Sequence, residues 1–469
     1  MEEINLPSGW VSCKLGEVAE LKYGKSLPAK IRNPKGKIPV YGSNGRVGYH
    51  TKALTDGPCI VVGRKGSAGA VEFSSQSCWA IDTTYFIKSR IKIEIRFLYF
   101  LLKSLRLESL DRSTAIPGLN RKDVYALNIL LPPFKEQGRI IEKMERLFTL
   151  LDRGEKNIRE AHKLLSLYRQ SILKNAVAGL LVPQDSDDEP VSELLKRIAN
   201  EKECLIKKKK IRNSRYQFED KTIEPPFEIP KSWQWCRLGN IGAIIGGGTP
   251  STANLTNFAK QGEGIPWLTP ADLSNYRSLY IERGSRDLSE KGLQSSGATV
   301  MPAGTVLFTS RAPIGYTAIA SNPISTNQGF KSIVPYITDC SRFIGLTMQA
   351  FASHIEAISS GTTFKEATGR LLSAFPIPLP PLTEQQRIIE TVDTLFTRMR
   401  KLEEEISNVQ RLIAHCRQSI LKDAFAGRLV HQNSNDQPAI ELLAPIQETH
   451  LATTRKSTTK NKKQMIHGG

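Results

Sequence analysis

A long segment occurs twice in this chain, and the duplication constrains the fold more than any other feature of the sequence. Residues 131–148 (LPPFKEQGRIIEKMERLF) match residues 379–396 (LPPLTEQQRIIETVDTLF), and the match continues without a gap through RQSILKNAVAGLLV and RQSILKDAFAGRLV. A shorter match precedes each copy, where PSGWVSCKLG at Pro7 aligns with PKSWQWCRLG at Pro230. Because this period is far too long for a solenoid, we interpret the chain as a duplicated two-part unit, with a segment of different sequence before each copy of the repeat.

Each copy of the repeat predicts a long helix with a coiled-coil seam. Its apolar positions recur in alternating steps of four and three, an a/d pattern sustained over more than four heptads. The positions in the first copy are Ile140, Met144, Leu147, Leu151, Gly154, Ile158, Ala161, Leu165, Tyr168 and Ile172. The positions in the second copy are Ile388, Val392, Leu395, Met399, Leu402, Ile406, Val409, Ile413, Cys416 and Ile420. At ~1.5 Å per residue each seam is about 48 Å long.

Residues that start or stop helices flank both copies. Paired prolines precede each copy, and Gly179 and Gly427 stand where a helix C-cap is expected. Thr383 and Gln386 form a capping-box pattern in the second copy. We predict that the two helices pair with each other, antiparallel, as a rigid rod, because each seam needs a partner of matching period. A packed helix inside one globular domain is the alternative.

The two variable segments predict α/β globules. Residues 60–62, 80–87 and 305–308 have the composition of strands, and residues 95–107 and 341–359 that of helices. The predicted fold class is therefore α/β (α+β), with two globular domains separated by two long helices in a pseudo-two-fold duplication. The predicted domains are a first globular domain (1–130), a first helical spacer (131–195), a basic connecting segment (196–228), a second globular domain (229–378), a second helical spacer (379–445) and a basic, disordered tail (446–469).

The charge of the chain indicates a polyanionic partner. Lys and Arg number 65 against 46 Asp and Glu, a net charge of +19, which favours nucleic acid first and an anionic membrane surface second. A hydrophobic fraction of 40% excludes wholesale disorder. We find no run of about 18 apolar residues, no secretory signal, and no paired cysteine or histidine motif of the kind that binds zinc. We therefore expect a reduced, cytoplasmic protein without a membrane span and without a metal of its own.

Loops rich in hydrogen-bond donors recur at matching places in the two variable segments. Their glycines let a backbone approach phosphate closely, and Arg, Lys, Asn and Gln side chains read base edges, so we predict that these loops contact DNA. The candidate residues in the first segment are Ser43, Asn44, Arg46, Arg64, Lys65, Ser67, Thr114, Arg121 and Lys122. Those in the second segment are Thr309, Ser310, Arg311, Asn327, Gln328, Thr363, Lys365 and Arg370.

Each of these features also has a plainer explanation. Any one such loop, taken alone, is more often a plain solvated turn, and Asn327 with Gln328 is equally a buried, satisfied amide pair. Trp10 and Trp233 are expected to anchor the core of each globular domain rather than to stack on bases. What favours DNA contact is that the loops recur in both halves of a strongly basic chain.

Catalytic motifs are missing from the sequence. There is no Walker A motif, since YGKS at Tyr23 lacks the earlier glycine, and no adenine-methylation tetrad, since LPPF at Leu131 has an apolar first residue. A dinucleotide-binding glycine loop, a nucleophile elbow and a convincing nuclease carboxylate cluster are also missing. We therefore assign no catalytic residue. The alternatives are a nuclease with an unrecognised site and a coiled-coil scaffold that binds DNA without sequence preference.

The motifs together resemble the specificity subunit of type I restriction–modification systems. The resemblance is carried by LPPFKEQGRII with LPPLTEQQRII, by RQSILKNAVAGLLVPQD with RQSILKDAFAGRLVHQN, and by ELLKRIANEKECLIKKKKI with EPPFEIPKSWQWCRLGNI. YGSNGRVGYH, GRKGSAGAV and IDTTYFI add to it in the first variable segment, and GTVLFTSRAPIG and NQGFKSIVP in the second. Lys135 and Gly138 depart from the usual polar cap of the first block, so the start of the first helix should differ from that of the second.

The resemblance implies a non-catalytic chain with two target recognition domains, each reading one half of a split site in double-stranded DNA. It implies that the helices form an antiparallel spacer and a docking surface for two methyltransferase subunits, which restriction subunits then join. S-adenosylmethionine, ATP and Mg²⁺ would belong to those partners, and this chain would bind no cofactor. We expect the helices to hold the domains about one turn of duplex, ~34–36 Å, apart. Because the two domains differ in sequence, the half-sites should also differ.

Overall fold

The computed structural model describes residues 6–111, 117–208, 211, 223–276, 278–311, 313–360 and 365–445. The chain forms two compact units, of which the first combines Met1–Arg159 with Ile406–Gly469 and the second is Glu160–Glu405. Each unit contains one globular α/β domain and one part of each of two long helices. The predicted duplication of α/β domains and long helices is confirmed.

Two sheets and a strand pair organise the globular domain of the first unit. Its elements are β1 (Val11–Lys14), α1 (Leu15–Val18), β2 (Ala19–Tyr23), β3 (Ile38–Gly42), β4 (Gly45–His50), β5 (Cys59–Gly63), β6 (Val71–Ser74), β7 (Trp79–Ala80), β8 (Thr84–Ser89), α2 (Ile95–Ser104), α3 (Arg121–Tyr125) and β9 (Asn128–Leu131). Strands β2-β8-β5-β6 form one antiparallel sheet, β4-β3-β7 another, and β1 pairs with β9. The core contains every residue of β5 and the apolar face of α2.

The prediction of one continuous strand over residues 80–87 is wrong. Residues 80–87 are divided between β7 and β8 by a turn, in which the backbone N–H and the hydroxyl of Thr84 both donate to the carbonyl of Ile81. A polar side chain that bonds to a nearby carbonyl stabilises a turn in place of a continuous strand. As a result, β7 joins β3 while β8 joins the other sheet.

The second unit repeats this plan with additional strands. Its elements are α5 (Val191–Lys207), β10 (Gln234–Arg237), α6 (Leu238–Ile241), β11 (Gly242–Gly246), β12 (Phe258–Ala259), β13 (Ile265–Leu268), β14 (Tyr280–Ile281), β15 (Arg286–Leu288), α7 (Glu290–Gln294), β16 (Val306–Ser310), β17 (Ile314–Ala320), β18 (Ser325–Thr326), β19 (Lys331–Pro335), α8 (Ser341–Ile358), α9 (Gly369–Ala374) and β20 (Pro376–Leu379). The sheets are β11-β19-β16-β17-β14 and β12-β15-β13-β18, and β10 pairs with β20. Helix α8 packs on β16 and β17.

The long helices are α4 (Phe134–Val177) and α10 (Leu382–Phe425), and each begins directly after a proline pair. Both end two residues before a glycine with positive φ, +69° at Gly179 and +71° at Gly427. A Cβ at either glycine would lie 2.4 Å from the Cγ of a proline, so glycine is required by space as well as by conformation. The predicted capping box at Thr383 is wrong, because the helix begins at Leu382 and the Thr383 hydroxyl donates to Asp188 instead.

Within each unit the two helical parts pack antiparallel. In the first unit, Ile140 shares a core with Ile420, while Arg417 lies further along and donates to Asp152 and Glu155. In the second, Ile172 shares a core with Ile388, and the Arg169 guanidinium carbon lies 4.2 Å from the Phe396 ring centre. Within each unit, residue numbers therefore increase along one helix as they decrease along the helix packed against it, as predicted for the antiparallel pair.

The predicted seam is buried over much of its length, but not everywhere. The residues that are buried or half-buried are Ile140, Met144, Leu147, Leu151, Gly154, Ile158, Ala161, Leu165, Ile172, Ile388, Val392, Leu395, Met399, Ile406, Ile413, Cys416 and Ile420. Tyr168, Leu402 and Val409, which the same heptad pattern also placed in the seam, are exposed. An α-helix drifts by about 20° per heptad against a strict 3.5-residue repeat, so a long apolar pattern does not stay on one face unless the helices supercoil fully.

A buried carboxylate joins each long helix to its domain. In the first unit, Glu136 accepts hydrogen bonds from Trp10 Nε1 at 3.0 Å and from Gln432 Nε2 at 3.3 Å, and Arg139 pairs with Asp436 at 2.6 Å. Trp10 is therefore buried as a core anchor, as expected.

The second unit repeats the junction with equivalent residues. Gln184 Nε2 donates to Glu384 at 2.7 Å, Arg387 pairs with Asp188, and Trp233 is buried. The segment that follows α10 thus bonds to the start of α4, through Gln432 and Asp436. The segment that follows α4 bonds in the same way to the start of α10, through Gln184 and Asp188. The segment after α10 belongs to the first unit for this reason.

Replacing Glu136 and Glu384 together by glutamine is expected to change how stability depends on pH. Burial raises the pKa of both carboxyls, so the folded chain binds these protons more readily than the unfolded chain. Their contribution to the free energy of unfolding therefore falls as pH rises from the ordinary glutamate pKa through the raised value. Glutamine does not titrate, so the variant should gain stability relative to the parent as the pH rises across that window.

Denaturant melts of both proteins at a series of pH values from 4 to 7 measure this difference. Glu142→Gln, which changes an exposed carboxyl on the same helix, is the matched control. A stability difference between variant and parent that stays constant over this range would contradict the prediction.

Candidate nucleic-acid interface

Three predicted loops of the first domain converge on one surface. The Gly66 N–H donates to the Pro117 carbonyl at 3.3 Å, and the Leu119 N–H donates to the Arg64 carbonyl at 2.9 Å. A Cβ placed on Gly66 would lie 3.4 Å from the Ser43 hydroxyl oxygen, so the third loop is adjacent. The loops at 43–46, 64–67 and 117–122, which are far apart in sequence, therefore present their side chains together.

The predicted residues of this surface are available to a ligand to different degrees. Asn44, Arg46, Lys65 and Lys122 are exposed, while Ser43, Arg64, Ser67 and Arg121 are half-buried. Thr114 lies outside the described residues. Within the described part of the chain, none of these arginines and lysines forms an ion pair. Cations without a carboxylate partner are the usual basis of phosphate binding.

Tyr23 belongs to this surface, although the sequence analysis missed it. Its ring is 48% exposed, and the guanidinium carbons of Arg121 and Arg64 lie 4.4 Å and 5.2 Å from the ring centre. The pairing of β2 with β8 places Tyr23 opposite Tyr85, and the two ring centres are 5.2 Å apart. Only the strand register reveals this arrangement, because nothing near Tyr23 in the sequence points to Arg64 or Arg121.

Two of the predicted residues in the second domain do not face solvent. Thr309 and Ser310 are fully buried at the end of β16. The Thr309 hydroxyl oxygen accepts from the Tyr316 N–H at 2.9 Å, and the Ser310 hydroxyl donates to the Gly329 carbonyl at 3.1 Å. The prediction that these two residues contact DNA is corrected accordingly, because the strand extends further than expected and both hydroxyls bond inside the domain.

Asn327 also has an internal partner, in line with the plainer explanation of this residue. Its side-chain oxygen accepts from the Gly329 N–H at 2.8 Å and so stabilises its own turn. Gln328 beside it is exposed and accepts from the Thr249 hydroxyl. Arg311 is half-buried, Lys365 and Arg370 are exposed, and Thr363 lies outside the described residues.

The loops of the second domain converge in the same way as those of the first. The Ala367 N–H donates to the Ser310 carbonyl at 2.9 Å, which is the counterpart of the bond from Leu119 to Arg64. Lys331 pairs with Glu366 at 3.1 Å across the same junction. Elsewhere in this domain, exposed Arg286 lies 4.0 Å from the Phe258 ring centre, a cation that the sequence analysis did not select.

The described residues offer no obvious metal site. No group of three or more His, Cys, Asp or Glu among them is placed to hold a metal ion. All seven cysteines are free thiols. None of the described helices is long and apolar enough to cross a membrane.

These surfaces belong to a known kind of domain. The chain is a member of the family of type I restriction modification DNA specificity domains, whose model matches residues 7–161 and 230–410, well over half of the sequence. The predicted family is confirmed, and one match begins in each globular domain and extends into the long helix that follows.

Named relatives agree with this assignment. The MjaIX specificity subunit of a type I restriction enzyme from Methanocaldococcus jannaschii is 39% identical over 187 residues, which are 39% of this chain and 43% of that one. The EcoDI specificity subunit from Escherichia coli is 24% identical over 97% of this chain and 99% of its own. This chain therefore spans less than half of the first relative and nearly all of the second.

Solved structures show the same fold. A chain from a structure of complex assembly and conformational transition in the type I R-M system has a TM-score of 0.64 at 21% identity, over 90% of this chain and 99% of that one. The HsdS subunit from Thermoanaerobacter tengcongensis has a TM-score of 0.52 at 20% identity, over 90% of this chain and 98% of its own.

Proposed function

We propose that this chain is the DNA-reading subunit of a type I restriction–modification complex. Its two target recognition domains each read one half of an asymmetric, split site in double-stranded DNA, and so determine where partner subunits methylate and cleave. The observation that carries the proposal is that two copies of one framework gather donor-rich loops at equivalent places. A framework that is duplicated while its loops differ is suited to reading two different sequences.

The difference between the half-sites follows from equivalent positions in the two domains. Arg64 and Ser310 occupy equivalent positions. The Arg64 carbonyl accepts a hydrogen bond from the Leu119 N–H just before α3, and the Ser310 carbonyl accepts one from the Ala367 N–H just before α9. One is a long cation and the other a small buried hydroxyl. These two positions therefore differ in charge and in access to DNA. Where other loop residues reach base edges, a good bidentate contact discriminates by ~1–3 kcal/mol, so loops with different donors select different bases.

Catalysis belongs to the partners in this proposal. Methylating a base inside a duplex requires flipping it out of the stack, and S-adenosylmethionine for that step would be held by methyltransferase subunits. Restriction subunits would use ATP and Mg²⁺. This chain would supply specificity and docking, in agreement with the missing catalytic motifs. The further expectation that the helices set the unread gap between half-sites stays a prediction.

Exposed leucines support two equivalent docking positions for methyltransferase subunits. Leu164 on α4 is 65% exposed, and Leu412, its counterpart in the repeat, is 60% exposed on α10. Leu167 and Tyr168 are also exposed and lie on the same helix face as Leu164, three and four residues further on. Val409 is exposed on the same face as Leu412, three residues before it. Solvent-facing leucine at the same place in both copies indicates a partner that binds twice.

Modified-base sequencing of the host genome with and without the gene tests the proposed function. We expect a split, asymmetric methylated motif that disappears with the gene and returns on complementation. The purified chain with S-adenosylmethionine should methylate nothing until methyltransferase subunits are added. Cleavage or methylation by the pure chain would favour the enzyme alternative, and equal binding to random and motif-bearing duplex would favour the non-specific scaffold.

A further inference from the structure

Two guanidinium groups meet at a single exposed ring in the first recognition domain. Arg121 is held in place because its Nη1 donates to the Leu21 carbonyl at 3.2 Å. Arg64 is held by its backbone, and its Nε atom is buried without a hydrogen-bond partner. Both guanidinium carbons lie within 5.2 Å of the Tyr23 ring centre. Arg64, Arg121 and Tyr23 are called the arginine–tyrosine cluster below.

The positive charge of this cluster has no ion-pair partner among the described residues. Neither arginine forms an ion pair with any described residue, and both charges act on neighbouring Tyr85. Two like charges held near one ring repel each other unless an anion lies between them or beside them. A phosphodiester group supplies that charge and accepts several N–H bonds at once, whereas a neutral base edge would leave both charges uncompensated.

We propose that the arginine–tyrosine cluster binds one phosphate group of the DNA half-site read by the first domain, and that the second domain lacks this contact. This inference rests on the proposed function and deepens it. The cluster sets affinity and position on the duplex rather than base preference, because phosphate contacts carry no direct sequence information.

The second domain has different residues at all three equivalent positions. Gly246 replaces Tyr23, since each is the last residue of the second strand of its domain. Tyr23 ends β2, which pairs with β8, and Gly246 ends β11, which pairs with the equivalent strand β19. Ser310 replaces Arg64, and Gly369 replaces Arg121 as the first residue of the short helix. None of these replacements carries a positive charge.

The residue opposite Gly246 in the second domain is a cation, but it is already neutralised. Lys331, which stands opposite Gly246 as Tyr85 stands opposite Tyr23, pairs with Glu366 at 3.1 Å. A neutralised cation releases no counterion from DNA, so the two half-sites should differ in the salt dependence of their contacts.

Binding of motif-bearing duplex by the assembled chain and methyltransferase subunits tests the inference. Duplexes carrying a single neutral methylphosphonate at successive phosphates of the first half-site are compared with unmodified duplex. For the parent, one position should weaken binding roughly tenfold, the loss expected for a charge-assisted contact. In the Arg64→Gln/Arg121→Gln variant the same substitution should have no effect, and the slope of log affinity against log salt should be less steep by about one.

Matched variants separate this role from a structural one. Lys331→Gln/Glu366→Gln removes a charged pair at the equivalent place of the second domain and should leave the slope unchanged. Tyr23→Phe keeps the ring and should behave as the parent, whereas Tyr23→Leu removes the ring without removing a charge and should weaken the same methylphosphonate effect. Thermal melting establishes that each variant is folded.

Two results would overturn the inference. One is a methylphosphonate effect that persists unchanged in the double arginine variant. The other is a methylated motif that changes at one base in cells carrying that variant, which would make the arginines base readers. If instead the parent complex shows no preference for its motif, the proposed function fails, and this outcome is distinct from both.

Discussion

Changing Leu164 and Leu412 together to glutamate is expected to release both methyltransferase subunits while the chain stays folded. Both side chains face solvent, so the change removes little packing within the chain. Burying a leucine in an interface contributes about 1.5–3 kcal/mol, and a glutamate there adds the cost of desolvating a charge. Each substitution should therefore weaken docking at its own position by at least roughly a hundredfold.

Native mass spectrometry of the co-expressed subunits measures this effect. The parent should bind two methyltransferase subunits, each single variant one, and the double variant none. Leu150→Arg is the matched control, because Leu150 is also exposed but its counterpart in the second copy is Arg398, so it is not part of a repeated feature. Two subunits retained by the double variant would show that docking takes place elsewhere.

Ending the chain at Phe425 is expected to unfold the first unit, although residues 1–159 remain intact. Ala439 and Leu443 are buried in the core of that unit, and the Ala439 N–H donates to the Gly9 carbonyl at 2.8 Å. Truncation also leaves buried Glu136 without Gln432 and removes the partner of Arg139. Together these losses are on the order of 5 kcal/mol, comparable with the whole stability of a typical domain.

Hydrogen exchange resolved by segment distinguishes the two units. Amides of β5 should lose their protection in the truncated chain, while those of β16 keep it, since residues 160–405 form their own unit. A chain ending at Pro445 is the control and should match the parent, because every contact named above lies before that residue. Leu443→Ala gives a milder version of the same effect, about 2–4 kcal/mol. Protection of β5 that survives the truncation would refute this account of the first unit.

The sequence predicts the helices well because their signals are local and repeated. Paired prolines, a sustained apolar period and the glycines at 179 and 427 each act over a few residues, and the structure bears them out. The seam is less predictable, since Leu402 and Val409 follow the heptad pattern and are nevertheless exposed. Which apolar residues are buried depends on the course of the partner helix. That course cannot be read from the residues adjacent in sequence.

The candidate site is predictable only in part for a similar reason. Loops rich in Gly, Arg and Lys are recognisable, and in the first domain three of them do meet. Tyr23 joins them through strand register alone, and Thr309 and Ser310 leave the surface because β16 extends to Ser310 and hydrogen-bonds on both sides. Register and strand length are set by tertiary pairing, which single residues do not reveal.

The discontinuous make-up of the first unit has a consequence for synthesis on the ribosome. Residues 160–405 emerge as one stretch, so the second unit is complete in the nascent chain before translation ends. Leu443, by contrast, is added after all of them, and the first unit needs it for its core. The domain that is translated first therefore reaches its final packing last, the reverse of the usual order in which N-terminal domains fold ahead of those that follow.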